Sequence, residues 1–180
     1  MPAFKLGRTV FFVGFMGAGK TSVARRVARM CALVSVDVDA YLERRAGKTV
    51  KDIFAQSGEA GFRALESEVL KALAEGEPRL VSCGGGIVVR PENRELLRAE
   101  GFVVYLKVSV DDALRRIGDT ASRPLLKDIG NARKIQEGRE RLYEEVADIS
   151  IDTTGKQVAG IACEVKAALL KEGVLWQPQK

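Results

Sequence analysis

The fold of this 180-residue chain is decided by the stretch Thr9-Val10-Phe11-Phe12-Val13-Gly14-Phe15-Met16-Gly17-Ala18-Gly19-Lys20-Thr21. Its first five residues are mostly apolar and predict a short buried strand, and a helical pattern begins after Gly19. Between them, Gly14 to Thr21 fit the pattern G-x-x-x-x-G-K-[ST], in which backbone N–H groups surround phosphate oxygens. The sequence therefore predicts a strand, a phosphate loop and a helix, in that order.

Each part of this loop has a chemical role in binding a nucleoside triphosphate. Lys20 can reach the β- and γ-phosphates, and the hydroxyl of Thr21 can ligate Mg²⁺. A glycine-rich turn that binds nothing is the plainer alternative, but the flanking strand and helix favour the phosphate loop. We therefore expect ATP or GTP to bind here, in contact with Gly14, Gly17, Ala18, Gly19, Lys20, Thr21 and Ser22.

Strand and helix patterns alternate along the rest of the chain, which predicts an α/β fold around a mainly parallel sheet. Further strands are predicted at residues 33–36, 80–83, 102–106 and 149–151. Helices are predicted at residues 41–46, 50–56, 62–74, 91–100, 110–117, 132–146 and about 158–171. A polar segment, about residues 118–130, interrupts the alternation and is expected to form a lid. We expect a single domain over residues 1–180, with a C-terminal tail at about residues 173–180.

Composition and charge exclude several classes of protein. The chain is 46% hydrophobic, yet no apolar run approaches the roughly 20 residues that span a bilayer. Its net charge of +5 comes from 29 basic residues interleaved with 24 acidic ones, and the 6% of aromatic residues is too few for a surface that stacks nucleic-acid bases. We expect a monomer whose partners are small polyanions, with neither nucleic acid nor a membrane among them.

The three cysteines, Cys31, Cys83 and Cys163, match neither a disulfide framework nor a zinc-binding spacing. They suit a reducing cytoplasm, and the N-terminus lacks the apolar segment of a signal peptide, so we expect a cytoplasmic protein. Cys83 could act as a nucleophile, but the chain has no histidine to activate it. We predict that Cys83 packs as a small buried residue.

Two carboxylates follow the second predicted strand, in the sequence Asp37-Val38-Asp39. Residues two apart on a strand share a face, so both can point into one cleft at the edge where open α/β sheets bind ligands. Carboxylates there can hold hydrated Mg²⁺ or accept a proton from an attacking hydroxyl. The alternative is a solvated pair that caps a helix starting near Ala40, and the neighbouring phosphate loop favours the ligand site. Because the chain lacks histidine, Asp39 is the natural candidate for a general base.

The segment Gly58-Glu59-Ala60-Gly61-Phe62-Arg63-Ala64-Leu65-Glu66 places Arg63 one helical turn from both Glu59 and Glu66. An arginine held by flanking carboxylates could present its guanidinium to a substrate carboxylate. A salt-bridged helix surface is the simpler interpretation, and on these residues alone it is the favoured one.

Glycine and arginine residues mark two further candidate regions. Gly84-Gly85-Gly86 ends the third predicted strand, and three glycines there favour a binding floor over a plain turn. Arg123-Pro124-Leu125-Leu126 lies within the predicted lid, and Arg139 and Tyr143 follow one turn apart on a helix. A polar segment that carries an arginine can close over phosphates, although an ordinary surface loop and a basic helix are the alternative.

Taken together, these motifs resemble those of the shikimate kinase family, the P-loop enzymes of the aromatic amino acid pathway. The resemblance covers about residues 10–170 and comprises the phosphate loop, D-x-D, G-E-x-x-F-R-x-x-E, the triple glycine, R-P-L-L and R-x-x-x-Y. It implies a three-layer α/β/α fold with a five-stranded parallel sheet in the order 2-3-1-4-5. It also implies transfer of the γ-phosphate of ATP to the 3-hydroxyl of shikimate, with Mg²⁺ as the cofactor.

The resemblance further implies roles for individual residues. On the nucleotide side, Lys20 and the lid residue Arg123 would contact the transferred phosphate, and Thr21 and Asp37 would hold Mg²⁺. Arg116 would stack on adenine, in a pocket completed by Gln157. Asp39 would bind the shikimate hydroxyls and accept the proton. The other shikimate-binding residues would be Arg63, Arg139, Gly84, Gly85, Gly86, Phe54, Phe62, Pro124 and Leu125.

Two departures and two rival functions accompany this resemblance. Cys31-Ala32 stands where members commonly have Leu-Gly, and Ser35 replaces a common aromatic residue, both at packing positions before the D-x-D motif. Another small-molecule kinase, such as a gluconate kinase, would keep the phosphate loop but would not need two arginines for a ring carboxylate. A non-catalytic nucleotide-binding module would not need the intact set of Lys20, Asp37, Asp39 and Arg123.

Overall fold

The centre of the structure is a five-stranded parallel sheet, seen in a computed structural model that describes residues 4–117 and 129–178. The strands of the described chain are β1 (Lys5–Leu6), β2 (Thr9–Val13), β3 (Ser35–Asp37), β4 (Leu80–Ser82), β5 (Gly101–Lys107), β6 (Ile149–Asp152) and β7 (Leu175–Trp176). The parallel sheet has the order β3-β4-β2-β5-β6. Numbered among themselves, these five strands run 2-3-1-4-5, so the predicted order is confirmed.

Helices cover both faces of this sheet. They are α1 (Lys20–Cys31), α2 (Val38–Ala46), α3 (Val50–Ala74), α4 (Pro91–Glu100), α5 (Val110–Ile117), α6 (Ile129–Val146) and α7 (Val158–Lys171), with a 3₁₀ turn at Ile87–Val89. Successive side chains of β2 point to opposite faces, as the pleat requires. Val10 and Phe12 pack in the core cluster with α1 and α7, whereas Phe11 and Val13 pack in the cluster with α2, α3 and α4. The three-layer α/β/α architecture is therefore confirmed.

Two local predictions differ from the structure. Residues 50–56 and 62–74 belong to one element, α3, which is interrupted at Gly58 by a non-helical backbone (φ 63°, ψ −172°). Asp37 ends β3, whereas Asp39 already lies in α2, so the prediction that both share one strand face is wrong. The Oδ1 atom of Asp37 accepts a hydrogen bond of 3.2 Å from the Ala40 N–H, and Asp37 is thus the N-cap of α2.

The two ends of the described chain pair with each other, which the sequence did not predict. β1 and β7 form an antiparallel pair in which Lys5 lies opposite Trp176. Most of the predicted lid, including Arg123, Pro124 and Leu125, lies outside the described residues. No helix within residues 4–117 and 129–178 is long and apolar enough to cross a lipid bilayer.

Two glycines in contrasting surroundings test this packing. A Cβ atom at Gly138, on the exposed side of α6, would meet no atom within 4 Å, and Gly138→Ala should raise the free energy of unfolding by about 0.5–1 kcal/mol because alanine favours a helix. A Cβ atom at Gly101 would overlap the buried ring of Phe11, and Gly101→Ala should lower the same quantity by about 1–3 kcal/mol. Urea titrations of the two variants measure both values, and effects of the same sign would contradict the described packing.

Candidate active site

The phosphate loop lies between β2 and α1 and packs tightly against β5 and α5. Gly14 has a φ of 143°, and a Cβ atom there would overlap the Leu106 carbonyl oxygen. A Cβ atom at Gly17 would lie 2.7 Å from the carbonyl oxygen of Ala113. These positions require glycine because the backbone of β5 and α5 approaches them so closely.

Lys20 is the charged group inside this loop. Its side chain is 92% buried, and Nζ donates hydrogen bonds to the carbonyl oxygens of Gly14 (2.8 Å) and Phe15 (2.9 Å). Lys20 is also the first residue of α1, whose N-terminal N–H groups favour a nearby anion. The loop therefore concentrates positive charge at the carboxyl end of β2.

Three oxygen-bearing side chains meet beside Lys20. Thr21 Oγ1 donates to Asp37 Oδ2 at 2.7 Å and lies 2.9 Å from Ser82 Oγ, so the ends of β3 and β4 join the start of α1. Hydroxyl and carboxylate oxygens are the ligands that Mg²⁺ prefers. Ser82 was missed by the sequence analysis, although it is the polar residue that ends an apolar strand just before Cys83 and the triple glycine.

Arg63 and Glu66 form a buried ion pair on the opposite side of the cleft. Arg63 Nη1 lies 2.6 Å from Glu66 Oε2, and its Nη2 lies 3.5 Å from the exposed Glu59. The Glu66 side chain is only 1% exposed. The interpretation of this segment as a salt-bridged helix surface is therefore wrong for Glu66, because a surface residue would be solvated.

Three polar atoms in this region are buried without a hydrogen-bond partner among the described residues: Asp39 Oδ1, Arg63 Nε and Glu66 Oε1. Burial, reinforced by the charges of Asp37 and Glu43, raises the pKa of Asp39, and Lys20 and Arg63 offset part of that rise. Burial likewise raises the pKa of Glu66, against the opposing effect of Arg63. Unpaired buried groups of this kind mark a place where a ligand can supply the missing partners.

Gly84, Gly85 and Gly86 form a floor between these groups. A Cβ atom at Gly84 would lie 3.0 Å from Glu66 Oε1 and 3.5 Å from Asp39 Oδ1, and one at Gly86 would overlap the Arg63 guanidinium. The carbonyl oxygen of Gly85 accepts a hydrogen bond from the Tyr143 hydroxyl. The glycines thus allow both charged groups to approach the backbone, as expected for a floor.

The helix α6 supports this floor from behind. Tyr143 is fully buried, and burial raises its pKa to about 12. The positive charge of Arg139, half-buried one turn earlier, opposes this rise in the pKa of Tyr143. The predicted pair Arg139 and Tyr143 therefore adjoins Glu66 and the floor, as the motif order implied.

Two members of the predicted aromatic wall, Phe54 and Phe62, lie against each other, and their role as a wall for the substrate ring stays a prediction. The rings of Phe54 and Phe62 stack with their centroids 4.5 Å apart, and the guanidinium of Arg63 lies 5.2 Å from the Phe62 centroid. Phe54 is 38% exposed, whereas Phe62 is buried.

The thiol of Cys83 is buried and its pKa is raised by burial, so the predicted packing role for Cys83 is confirmed.

Arg116 is fixed at the other end of the cleft. Its guanidinium lies 2.7 Å from Asp112 Oδ2 and donates to Thr153 Oγ1 at 3.1 Å. Asp112 also accepts from the Gly155 N–H, so it joins α5 to the loop that precedes α7. The sequence analysis missed Thr153, whose partner Arg116 lies 37 residues away. It also missed Asp112, which no motif marks, although Arg116 lies one turn along the same helix.

A cleft of about 830 Å³ connects these regions. The predicted residues that line it are Gly17, Gly19, Lys20, Thr21, Ser22, Asp37, Asp39, Gly84, Gly85, Arg116 and Gln157. Gly14 and Ala18 are buried, and the other described candidates, Arg63, Gly86, Arg139, Phe54 and Phe62, do not line the cleft itself. Gly86, which packs against Arg63, directly follows the lining residue Gly85, and this neighbouring region with Asp39 is called the acceptor side below. Among the residues described, no cluster of three or more histidine, cysteine, aspartate or glutamate side chains could hold a metal ion.

A phosphate loop that shares one cleft with carboxylates and a preorganised arginine defines the class of P-loop phosphotransferases that act on small acceptors. A family model described as shikimate kinase matches residues 16–170. The shikimate kinase of Geobacter metallireducens is 41% identical over 165 residues, which are 90% of this chain and 92% of the relative. The chain belongs to the shikimate kinase family, whose members are ATP-dependent phosphotransferases.

Solved structures agree with this assignment. Shikimate kinase from Acinetobacter baumannii in complex with shikimate superposes with a TM-score of 0.87 at 34% identity, over 92% of this chain and 94% of that one. A gluconokinase from Sinorhizobium meliloti gives a TM-score of 0.56 at 20% identity over 93% of this chain and 94% of that one. At that identity the second likeness shows the fold alone.

The contact between Gly86 and Arg63 can be tested by a substitution that adds one methyl group at residue 86. Gly86→Ala should displace the guanidinium and raise the KM for shikimate about tenfold or more, because a misplaced group loses much of its binding. The KM for ATP should stay within about twofold. Steady-state kinetics measure both constants, with Gly138→Ala as the control glycine variant. Equal changes in the two constants would contradict the assignment of Arg63 to the acceptor side.

Proposed function

We propose that this chain transfers the γ-phosphate of ATP to the 3-hydroxyl of shikimate and releases shikimate 3-phosphate and ADP. One juxtaposition supports this most strongly: Asp39 lines the same cleft as the phosphate loop, and Asp39, Arg63 and Glu66 hold buried polar atoms without hydrogen-bond partners among the described residues. A ring that bears a carboxylate and hydroxyls offers the complementary acceptors and donors.

The nucleotide binds along the phosphate loop. Backbone N–H groups at the start of α1 and the ammonium of Lys20 neutralise the phosphates, as in other loops of this pattern. Arg116 and Gln157, at the far end of the cleft, contact adenine. The Lys20 carbonyl contacts hold the ammonium in place until phosphate oxygens replace them.

The oxygens of Thr21, Asp37 and Ser82 fit Mg²⁺, since they are hard ligands 2.7–2.9 Å from one another along the hydrogen bonds that join them. Thr21 would ligate the ion directly, and Asp37 would hold it through water. When bound with the nucleotide, Mg²⁺ neutralises charge that develops on the phosphate oxygens.

The acceptor binds at the floor. Arg63 and Arg139 pair with the shikimate carboxylate, and Gly84, Gly85 and Gly86 let the ring approach the backbone. The stacked rings of Phe54 and Phe62 form an apolar wall beside it. Glu66 keeps the Arg63 guanidinium oriented, because it holds Nη1 and leaves Nε unpaired.

Asp39 orients the 3-hydroxyl toward the γ-phosphorus and accepts its proton. The hydroxyl oxygen forms the new bond to phosphorus as the bond to the ADP oxygen breaks, so the proton is the only species that the protein must take up. The raised pKa of Asp39 makes its carboxylate a better proton acceptor than that of an exposed aspartate.

Several expectations from the sequence stay predictions. The roles of the lid and of Arg123, Pro124 and Leu125 concern residues outside the described ranges. A monomeric state, a cytoplasmic location and the absence of nucleic-acid or membrane partners also await measurement. Three free cysteines and the use of ATP suit the reducing cytoplasm.

The proposed acceptor is tested by ADP release from Mg·ATP in a coupled assay, with shikimate, with gluconate and with no acceptor. We expect rapid release with shikimate alone, because the buried arginine selects a ring carboxylate next to the transferred phosphate. Faster release with gluconate would overturn the acceptor assignment. ATP binding with background ADP release under all three conditions would favour a non-catalytic module.

Asp39→Asn should lower kcat by about 10²- to 10⁴-fold, because the amide cannot accept the proton. Its affinity for ATP should change little, since Asp39 lies on the acceptor side of the cleft. Asp111→Asn, which alters an exposed carboxylate on α5, serves as the control. Unchanged kcat in Asp39→Asn would contradict the proposed role.

The pH dependence of the wild-type enzyme carries the same signature. The ionised carboxylate of Asp39 is the active form, so activity is lost as the pH falls through its pKa. Because this pKa is raised, the loss should occur above about 3.9, the ordinary pKa of aspartate. The acidic limb of kcat/KM for shikimate at saturating ATP measures this pKa. A limb at or below the ordinary value would contradict a buried, unpaired Asp39.

A further inference from the structure

The 3₁₀ turn Ile87–Val89, which directly follows the glycine floor, is held by two consecutive residues of α4. Asn93 Nδ2 donates to the Ile87 carbonyl oxygen at 3.0 Å. Arg94 Nη1 donates to the carbonyl oxygens of Val88 (2.9 Å) and Val89 (3.2 Å). All three backbone carbonyl groups of this 3₁₀ turn, which does not continue into a longer helix, are therefore paired with the side chains of Asn93 and Arg94.

Burial makes these contacts consequential. Ile87 and Val88 are fully buried, Asn93 is 1% exposed, and the Arg94 side chain is 17% exposed. A buried carbonyl oxygen without a hydrogen-bond donor lowers the stability of the fold. The amide nitrogen of the Asn93 side chain supplies that donor to the Ile87 carbonyl oxygen. The path of the chain just after Gly86 thus depends on the side chains of Asn93 and Arg94.

The same turn of α4 also contacts the two helices that carry the acceptor-binding arginines. Arg94 Nε lies 3.2 Å from Glu145 on α6, the helix that bears Arg139. On the other side, Arg90 Nη1 donates to the Arg63 carbonyl oxygen (3.3 Å) and to Ser67 Oγ (3.1 Å) on α3. One short segment, residues 90–94, therefore joins α3, the floor and α6.

We propose that Asn93 and Arg94 are positioning residues that set the spacing of the acceptor site without touching either substrate. Neither side chain lines the cleft. They act through the 3₁₀ turn, which fixes Gly86 under the guanidinium of Arg63, and through Glu145. The inference rests on the proposed function, because the acceptor site that they shape is the shikimate site.

The test compares Arg94→Ala with Arg98→Ala, an exposed arginine one turn later in the same helix. Arg94→Ala should raise the KM for shikimate about tenfold, since it leaves two carbonyls unpaired, and should leave the KM for ATP within about twofold. Arg94→Lys keeps the charge opposite Glu145 but cannot bond both carbonyls in the same way. Its KM for shikimate should therefore lie between those of the wild type and Arg94→Ala. Arg98→Ala should match the wild type in both constants.

Urea midpoints, recorded for every variant, separate positioning from loss of fold. If Arg94→Ala does not fold, Arg94→Lys and Asn93→Ala carry the comparison. A shikimate KM within twofold of wild type in the folded variants, or an equal rise in the ATP KM, overturns the inference. Wild-type protein that releases no ADP upon addition of shikimate would instead overturn the proposed function, and the inference with it.

Discussion

The structure depends on one constraint: charged groups must be held out of water at one edge of the sheet. The side chains of Lys20, Arg63 and Glu66 are 8%, 14% and 1% exposed. Withdrawing such a group from solvent costs several kcal/mol unless other groups pair with it. Loop carbonyls pair with Lys20, and Arg63 pairs with Glu66, so the phosphate loop and α3 are each shaped around a charge. A parallel sheet makes this arrangement possible because the carboxyl ends of β2, β3 and β4 meet at one edge.

Hydrogen bonding at this edge of the sheet is incomplete on the acceptor side. Asp39 Oδ1, Arg63 Nε and Glu66 Oε1 have no hydrogen-bond partner among the described residues, whereas Thr21, Asp37 and Ser82 satisfy one another. An unpaired buried group lowers the stability of the free protein, and a ligand that supplies the partner regains that free energy on binding. The acceptor side is therefore prepared for a polar ring, while the side near Thr21 is held in order by its own hydrogen bonds.

Much of this arrangement is local in sequence and could be predicted. The phosphate loop and the five strands follow from motifs and periodicity, and the order of the sheet follows from the family resemblance. The spacing of Arg63 and Glu66 indicates their contact. Periodicity could not reveal that Glu66 is buried, because its Oε1 atom lies against Gly84, which follows β4 and is distant from α3 in sequence. Nor could it reveal the pairing of β1 with β7, since two-residue strands carry no pattern. Ser82 was missed because its partner Thr21 lies 61 residues away, and the bond from the Gly155 N–H to Asp112 likewise spans 43 residues.

The choice of acceptor resides in these distant contacts and not in the fold. A gluconokinase shares the architecture with a TM-score of 0.56 at 20% identity, which shows the fold alone, and a fold does not by itself specify a substrate. A more particular feature of this chain is a guanidinium held at a fixed height above a glycine floor. That height is set from below by Gly86, which has no side chain to displace Arg63, and from the side by Glu66. Under the role proposed for Arg63, selectivity for a ring carboxylate depends on the elements that support this arginine, because an arginine alone could turn toward many anions.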